Sequence, residues 1–545
     1  MGVRSKSEPR RTETLSGGGG GGDLIGDLSD DLLVRILELL PDARAVLRTH
    51  ALSRRWRGLW TRVTALRFNS KSRREFSRRP AGAQRFIAFV NDALALRATQ
   101  QEPDVKHLTI MFDIFDHEKA AEKLLPPCIE AAQGWIHYAT QHGVESLTFD
   151  LYLPWLGKDE EDDEGNVRFI ENNPVISLDG LASSAKLETM RLQLSDAILR
   201  LPPTVEFASL RDLSLENMQV EAGHGHVLAR LVSSGCCPRL RKLRLADLLL
   251  PMEEPLLIDA GELSHLSVKE IDDLKFLELR TPSLRVLHVQ ACYELEGLKV
   301  SASRLEDLKL LVHQRPLLID ADGDLSSVGR LKIDLCSHGY LYDDKNNASI
   351  SLLKRCRSTR CLEVYLEVPE IKDQDVDIIK GWIPQLPHVT SLTIDVTLLD
   401  QRRSYAAGVS SLLAQCSSIR YLSLELDCRF IRKKEQPKLD LSSDNPGQWK
   451  SHELSLAHLQ EVEFKNLMGT DDELQFIRFI LTRATGIQKV DISFNREYWR
   501  KGSNDASQLI PTLAGGSWTT CNGAFHLSYK WRRCVYEWIP ESGVP

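Results

Sequence analysis

The sequence predicts an α/β protein in which a short all-α module precedes a long solenoid of stacked strand-and-helix units. Two observations carry this prediction: an apolar hexamer recurs fifteen times along the 545 residues, and a helical apolar pattern fills the segment before the repeats. The composition agrees, because 84 residues are leucine while only 7% are aromatic. Aliphatic side chains at fixed repeat positions explain such an excess better than one large globular core.

The hexamer has the form apolar-x-x-apolar-x-apolar, as in Leu210-x-x-Leu213-x-Leu215. Starting points lie 21–23 residues apart in the tightest stretch and up to 43 apart elsewhere. This spacing is typical of leucine-rich repeats, in which each hexamer forms a short strand and the leucines of neighbouring units fill a shared core. The fifteen copies begin at Val63, Val105, Val144, Leu187, Leu210, Leu240, Leu263, Leu284, Leu305, Val328, Thr359, Val389, Ile419, Leu459 and Ile487.

The segments between hexamers predict the convex side of the solenoid. Longer repeats contain helical patterns, whereas the tight units from 263 to 328 leave room only for a loop or a short turn of helix. The predicted helices span residues 86–98, 129–139, 227–233, 348–355, 376–383, 406–415 and 472–484.

The N-terminal segment 23–64 is predicted to be a compact helical module. Ser29 is a good N-cap, Asp30 and Asp31 suit the positive end of a helix dipole, and Pro41 ends the run. A second helix is expected to begin at Asp42. About forty residues are too few to bury the Leu, Ile and Trp side chains on both helices. Periodicity alone leaves two interpretations open: the module packs on a partner, or it caps the domain that follows.

This module resembles a plant F-box. The resemblance rests on GDLSDDLLVRIL at 26–37 and LSRRWRGLW at 52–60, although the family usually has Leu-Pro where this chain has Leu28-Ser29. It implies binding to the Skp-family adaptor of an SCF-type (cullin–RING) ubiquitin ligase. The positions that it implies as adaptor-facing or module-core, without dividing the two roles, are Leu28, Leu32, Ile36, Leu40, Ala45, Leu52 and Trp56.

The C-terminal repeats resemble the FBD region that follows the repeats of many plant F-box proteins. The resemblance rests on LQEVEF at 459–464, ELQFIRFIL at 473–481 and IQKVDI at 487–492. The predicted organisation is a disordered Gly-rich tail (1–22), the F-box (23–64), the solenoid (65–457), FBD-like terminal repeats (458–500) and a C-terminal cap or tail (501–545). Trp499, Trp518, Trp531 and Trp538 are expected to help this last segment cover the open end of the solenoid.

The concave strand face is the candidate surface for a partner. Side chains alternate along a strand, so the positions between inward apolar residues face out. They are basic in the middle repeats and acidic in later ones, which suits a partner with complementary charge; solvated strand faces that simply carry charge are the alternative. The candidate residues are Lys242, Arg244, Lys269, Lys309, Arg330, Lys332, Glu363, Asp395, Glu425, Glu461 and Glu463.

Composition and motifs narrow the function further. A net charge of −7 disfavours a nucleic-acid binder, and no apolar stretch is long enough for a membrane span. The first 22 residues lack the apolar core of a secretory signal, so the nucleus and/or cytoplasm is expected. The six consecutive acidic residues 159–164 predict a flexible insertion.

The cysteines and histidines predict no metal site and no cofactor. The eleven cysteines contain no C-x-x-C pair, and His224 and His226 have no cysteine partner nearby in sequence. Five cysteines recur at fixed positions relative to the hexamers and are expected to be buried structural thiols: Cys237, Cys292, Cys336, Cys356 and Cys416. Asn495 occupies the equivalent turn position in the last repeat.

We therefore expect a non-catalytic substrate-recognition subunit. No phosphate-binding lysine follows the Gly17–Gly22 run, and neither G-x-S-x-G nor H-E-x-x-H occurs. Two alternatives stay open: a leucine-rich-repeat scaffold with no role in degradation, and a small-ligand sensor of the same family.

Overall fold

The structure is a computed structural model of the chain. It describes residues 25, 27–70, 80–99, 104–113, 121–153, 158–161, 167–170, 173–177, 185–195, 197–200, 206–221, 225–251, 254–312, 317–321, 325–336, 345–368, 383–398, 405–427, 454–468, 470–494, 516–522 and 534–540. The N-terminal tail 1–22, most of the predicted helix 376–383, Asn495, Trp499, Trp531 and the end of the acidic run lie outside the described residues.

Nine α-helices occur in the described part of the chain. They are α1 (Asp30–Glu38), α2 (Ala43–Arg48), α3 (Trp56–Leu59), α4 (Pro80–Ala98), α5 (Ala121–Gln141), α6 (Gly225–Leu231), α7 (Lys345–Arg355), α8 (Ala406–Gln415) and α9 (Asp471–Arg483). None of them combines the length and the apolar content that a membrane crossing requires.

The strands are short, as the hexamers predict. The first thirteen are β1 (Ala65–Asn69), β2 (His107–Asp113), β3 (Ser146–Tyr152), β4 (Lys158–Glu161), β5 (Val167–Ile170), β6 (Val175–Ser177), β7 (Thr189–Gln193), β8 (Ile198–Arg200), β9 (Asp212–Val220), β10 (Lys242–Leu249), β11 (Leu256–Asp259), β12 (His265–Asp272) and β13 (Phe276–Arg280). The others are β14 (Val286–Gln290), β15 (Gly297–Ser301), β16 (Asp307–Leu311), β17 (Leu318–Ala321), β18 (Arg330–Cys336), β19 (Cys361–Val368), β20 (Ser391–Leu398), β21 (Tyr421–Asp427), β22 (Glu461–Leu467), β23 (Lys489–Phe494), β24 (Gly516–Asn522) and β25 (Cys534–Pro540).

One long sheet forms the spine of the molecule. Fifteen of its strands pair in parallel and in chain order: β1, β2, β3, β7, β9, β10, β12, β14, β16, β18, β19, β20, β21, β22 and β23. Each begins two residues after a predicted hexamer start, so every copy of the repeat became a strand of this sheet. The predicted α/β leucine-rich-repeat solenoid is confirmed.

The register of the sheet aligns the leucines of successive repeats. Leu243 pairs with Leu213 on one side and with Leu266 on the other. All three side chains are buried. The aligned leucines form a continuous core, which explains why one repeat could not fold without its neighbours.

The tight central repeats contain a second sheet. Strands β11, β13, β15 and β17 pair in parallel on the far side of the core from the long sheet. The expectation of only a loop or a short turn of helix in these units is therefore wrong. The aligned residues Leu256, Leu277, Leu298 and Ile319 recur every 21 residues, so neighbouring segments of equal length keep one register and satisfy each other's backbone groups.

The longer repeats use helices instead, and the predicted helices agree with the observed ones wherever they are described. The predicted span 406–415 coincides with α8, and 472–484 with α9 within one residue. Early repeats add aromatic packing: the Trp135 ring on α5 contacts Phe86, Phe112 and Phe149 with centroids 5.6–6.2 Å apart.

Eight cysteines have described side chains and none of these forms a disulfide; seven are buried and Cys361 is half-buried. The five predicted structural thiols are all in the buried set, as expected. Burial raises the pKa of Cys237 and of Cys416 to about 12, so neither thiol is a nucleophile near neutral pH.

The last parallel strand is followed by an antiparallel pair. Strand β25 pairs with β23 and with β24, and this register places Trp518 opposite Trp538. The described part of the C-terminal segment therefore extends the long sheet beyond its last repeat.

Candidate interaction surfaces

The N-terminal module is built from capped helices, as its sequence predicts. The Ser29 hydroxyl accepts a hydrogen bond from the Leu32 amide at 3.4 Å, so the residue that replaces the usual proline still caps α1. The Asp42 carboxylate accepts one from the Arg44 amide at 2.8 Å and caps α2. Arg55 donates to Asp30 at 2.7 Å and joins the second half of the module to the start of the first helix.

Helix α1 has two apolar faces with different surroundings. Leu33 and Leu37 are 0% and 1% exposed and belong to the continuous core. Leu32 and Ile36 are 46% and 42% exposed, and Leu39 is 84% exposed. Residues three and four positions apart lie on one side of a helix. Leu32, Ile36 and Leu39 therefore form a single stripe, which we call the outer stripe.

The structure divides the F-box positions that the sequence left undivided. Leu32, Ile36 and Leu52 are exposed, whereas Ala45 is half-buried. The half-buried residues that pack against the core are Leu28, Leu40 and Trp56. Sequence reasoning missed Leu39 and the exposed Ile25; the spacing 32–36–39 was the signal that could have identified Leu39.

The module is also fixed to the first repeat. The Glu38 carboxylate accepts hydrogen bonds from the Thr64 amide at 2.9 Å and from its hydroxyl at 2.7 Å. Arg67 on β1 donates to the Glu38 carbonyl at 2.6 Å. The capping interpretation therefore holds for one face of the module; the other face carries exposed apolar side chains, and its packing on a partner stays a prediction.

The second candidate surface is the polar face of the long sheet, which we call the concave face. Burial alternates along its strands, and all eleven candidate residues lie at the outward positions. The central position of successive strands from β9 to β23 carries Ser214, Arg244, Ser267, His288, Lys309, Lys332, Glu363, Thr393, Ser423, Glu463 and Asp491.

The basic and acidic parts of this face meet at Lys332. Its ammonium group lies 3.1 Å from Glu363 and 3.4 Å from Asp395. Burial alone would lower the pKa of Lys332, but the hydrogen bond to Glu363 and the charge of Asp395 raise it above its usual value. Lys332 thus pairs with two other predicted contact residues, and the three together carry one net negative charge.

A second cluster of charges, which the sequence analysis missed, lies on earlier strands. Buried Glu216 accepts hydrogen bonds from the Ser214 hydroxyl at 2.7 Å and from Arg244 at 3.1 Å, and Arg191 lies 3.4 Å away. Burial favours a raised pKa at Glu216, but Ser214 and the two arginines hold it below its usual value. Asp150, also buried, has its pKa raised by burial. Only the repeat register, extended to these strands, could have revealed the cluster.

Most other predicted cations on the face are also paired. Lys269 lies 2.9 Å from Glu270, and Arg330 lies 3.9 Å from Asp307. Among the described residues, Lys242 and Lys309 have no ion-pair partner within 4.0 Å. Lys242 is exposed to solvent, whereas Lys309 is partly buried.

Comparisons with known proteins fit this geometry. The FBD family model matches residues 453–492. A putative FBD-associated F-box protein of Arabidopsis thaliana is 30% identical over 225 residues, which are 41% of this chain and 44% of the relative. A second such protein is 25% identical over 86% of this chain and 97% of its own length.

A third relative, an F-box/LRR-repeat protein of the same plant, is 23% identical over 63% of this chain and 58% of its own length. The chain is a plant F-box protein with leucine-rich repeats and an FBD region. It spans about half the length of two of these three relatives.

The FBD region consists of two further repeats of the F-box protein's solenoid. It contains β22, α9 and β23, and α9 begins with a capping box. The Thr470 hydroxyl accepts from the Glu473 amide at 3.3 Å, and the Glu473 carboxylate accepts from the Thr470 amide at 3.2 Å. These two bonds satisfy backbone donors at the start of α9 and fix where the helix begins.

Proposed function

We propose that this F-box protein is the substrate-recognition subunit of an SCF-type (cullin–RING) ubiquitin ligase. The F-box docks the Skp-family adaptor, and through it a cullin, while the repeats bind a target protein in the nucleus or cytoplasm. The observation that supports the adaptor role best is the outer stripe, because large apolar side chains on a folded helix gain free energy only when a partner covers them.

The size of the expected gain is considerable. Burying one Leu or Ile side chain completely stabilises a complex by about 1.5–3 kcal/mol, and the stripe residues have roughly half to most of that area still to bury. Exposed Leu52 adds to this area. The apolar gain offsets part of the cost of association, and further contacts of the module must supply the rest of the affinity.

The charge of the sequence segment that follows α1 favours an acidic adaptor. Residues 44–79 contain twelve Lys or Arg and a single acid, Glu75. Such a local field accelerates encounter with a negatively charged partner.

The mechanism is positioning rather than chemistry. A target held on the solenoid and an adaptor held on the F-box bring the target near the conjugating machinery, which raises its effective concentration there. This mechanism requires no catalytic residue and no cofactor in the chain, and we propose that the chain is not itself an enzyme.

A pull-down with the Skp-family adaptor tests the proposal. We expect the double change Leu32→Ala, Ile36→Ala to weaken adaptor binding at least about 30-fold, corresponding to roughly 2 kcal/mol. The matched control changes two exposed leucines outside the F-box, Leu96→Ala and Leu318→Ala, and should bind like the wild type. Failure of the wild-type chain to bind the adaptor would instead support the scaffold alternative.

A further inference from the structure

Lys309 differs from the other partly buried lysines of the concave face because it has no ion-pair partner among the described residues. It lies at the central position of β16, between His288 on β14 and Lys332 on β18. No carboxylate of the described residues lies within 4.0 Å of its ammonium group, although the other partly buried lysines on this face are paired. Partial burial and the neighbouring Lys332 charge lower the pKa of Lys309. The fold thus maintains a cation at a position where it is unfavourable.

The neighbourhood of Lys309 offers more than one donor. Neighbouring strands are about 4.8 Å apart, and Lys309 and Lys332 are register partners on the same face. An ammonium has three N–H donors, and Lys332 uses two of them on Glu363 and Asp395. The third N–H remains to join Lys309 in binding the two oxygens of one anionic group.

The local charge selects a singly charged anion. The two carboxylates on Lys332 give that cluster one net negative charge, which would repel a phosphate dianion on the adjacent strand. Lys309 contributes one positive charge that has no carboxylate of the described residues within 4.0 Å, although Glu363 and Asp307 act on it from farther away. One carboxylate neutralises the Lys309 charge, whereas the corresponding neutral amide, Asn or Gln, does not.

We infer that Lys309 is the anchor for an acidic side chain, Asp or Glu, of the target protein bound along the concave face. This inference rests on the proposed function only in assigning the target to this face, and it names the chemistry of the target. The carboxylate accepts from Lys309 and from the free donor of Lys332, and the polar residues of adjacent strands contact the rest of the segment.

Fluorescence anisotropy with the full chain tests this inference. The probes are three labelled twelve-residue Gly-Ser peptides whose central residue is Glu, Gln or phosphoserine. We expect the acidic peptide to bind the wild type best and Lys309→Met to weaken it about tenfold, as loss of a charge-assisted hydrogen bond predicts. The matched control Lys354→Met, at an exposed position of α7 outside the concave face, should change binding less than twofold. Carbodiimide coupling, read by mass spectrometry, should join the acidic peptide to Lys309.

Three results would overturn the inference: equal binding of the acidic and amide peptides, a preference for the phosphoserine peptide that depends on Lys309, or equal effects of the two lysine changes. A structural role for Lys309 would show as a lower melting temperature of Lys309→Met, whereas removal of a charge without a close ion-pair partner should leave it equal or higher. Adaptor binding is measured on the same variants. Intact adaptor binding alongside a failed peptide result would overturn this inference and leave the proposed function standing.

Discussion

The outer stripe of the F-box and the concave face of the solenoid are opposite kinds of surface. The stripe residues are apolar and exposed, while the charges of the concave face are largely paired with each other across neighbouring strands. Apolar burial is non-directional and strong, whereas matched charges discriminate between partners more than they add affinity. The difference suits a chain with one constant partner at the F-box and a selected target on the repeats.

The same contrast exists at the C-terminal end of α1, where Leu39 is the C-cap. Leu37 belongs to the core and Leu39 projects into solvent, although only one residue separates them. We expect Leu37→Ala to destabilise the module by about 2–5 kcal/mol because it leaves a cavity, and Leu39→Ala to change stability by less than about 0.5 kcal/mol. Hydrogen exchange of the α1 amides measures both as changes in the free energy of local opening. Equal effects of the two changes would mean that the stripe is not a free surface.

A matching comparison exists on the concave face. Lys332→Met leaves Glu363 and Asp395 without their shared cation, and we expect it to destabilise the solenoid by about 1–2 kcal/mol. Thermal melting measures the loss.

Its control is the triple change Lys332→Met, Glu363→Gln, Asp395→Asn, which removes the charges together and should recover most of the lost stability. A triple variant as unstable as the single one would show that packing of the lysine side chain, rather than its charge, stabilises this site.

The sequence predicted the repeat architecture well because its signal is periodic. Each hexamer places Leu or a similar residue at fixed positions, so the strand that contains Leu213 could be located from spacing alone. The second sheet was missed because its strands carry the same hexamer between the counted copies: Leu274-x-x-Leu277-x-Leu279 and Leu295-x-x-Leu298-x-Val300 were not counted. A count of every copy of the hexamer would have found it.

The interaction surfaces were only partly predictable. Strand alternation placed the eleven charges on one face, but their pairing depends on which strands are neighbours and on side-chain reach. Helix α1 has a buried face that contains Leu33 and an exposed face that contains Leu32. Which face is buried likewise depends on where the first repeat packs. Helical spacing gives the faces of a helix but not which of them is covered.

The smallest predicted effect concerns a carboxyl pair at the edge of the concave face. Burial and a hydrogen bond to Glu270 raise the pKa of Asp247 to about 6 from its ordinary 3.8, while the Asp247 and Lys269 bonds lower that of Glu270. A carboxyl with a raised folded pKa contributes stability below its unfolded pKa, near 3.8, and loses that contribution as the pH rises through about 6. Stability should therefore decline across this window. Because Asp247 is solvent-exposed, the effect is reduced to about 0.5 kcal/mol.

Asp247→Asn isolates this effect. The Asn side-chain amide can donate a hydrogen bond to Glu270 at every pH, whereas the Asp247 carboxyl can do so only when it is protonated, below a pH of about 6. Position 247 has φ of 52°, a left-handed conformation that Asn tolerates as well as Asp, so the backbone is not strained by the change. We expect the variant to melt at a higher temperature than the wild type at pH 8 and at nearly the same temperature at pH 4.5. A difference that is constant across pH would assign the effect to packing. The ionisation of Asp247 would then make no contribution to stability, and the charge pairs of the concave face would affect stability only around Lys332 and Glu216.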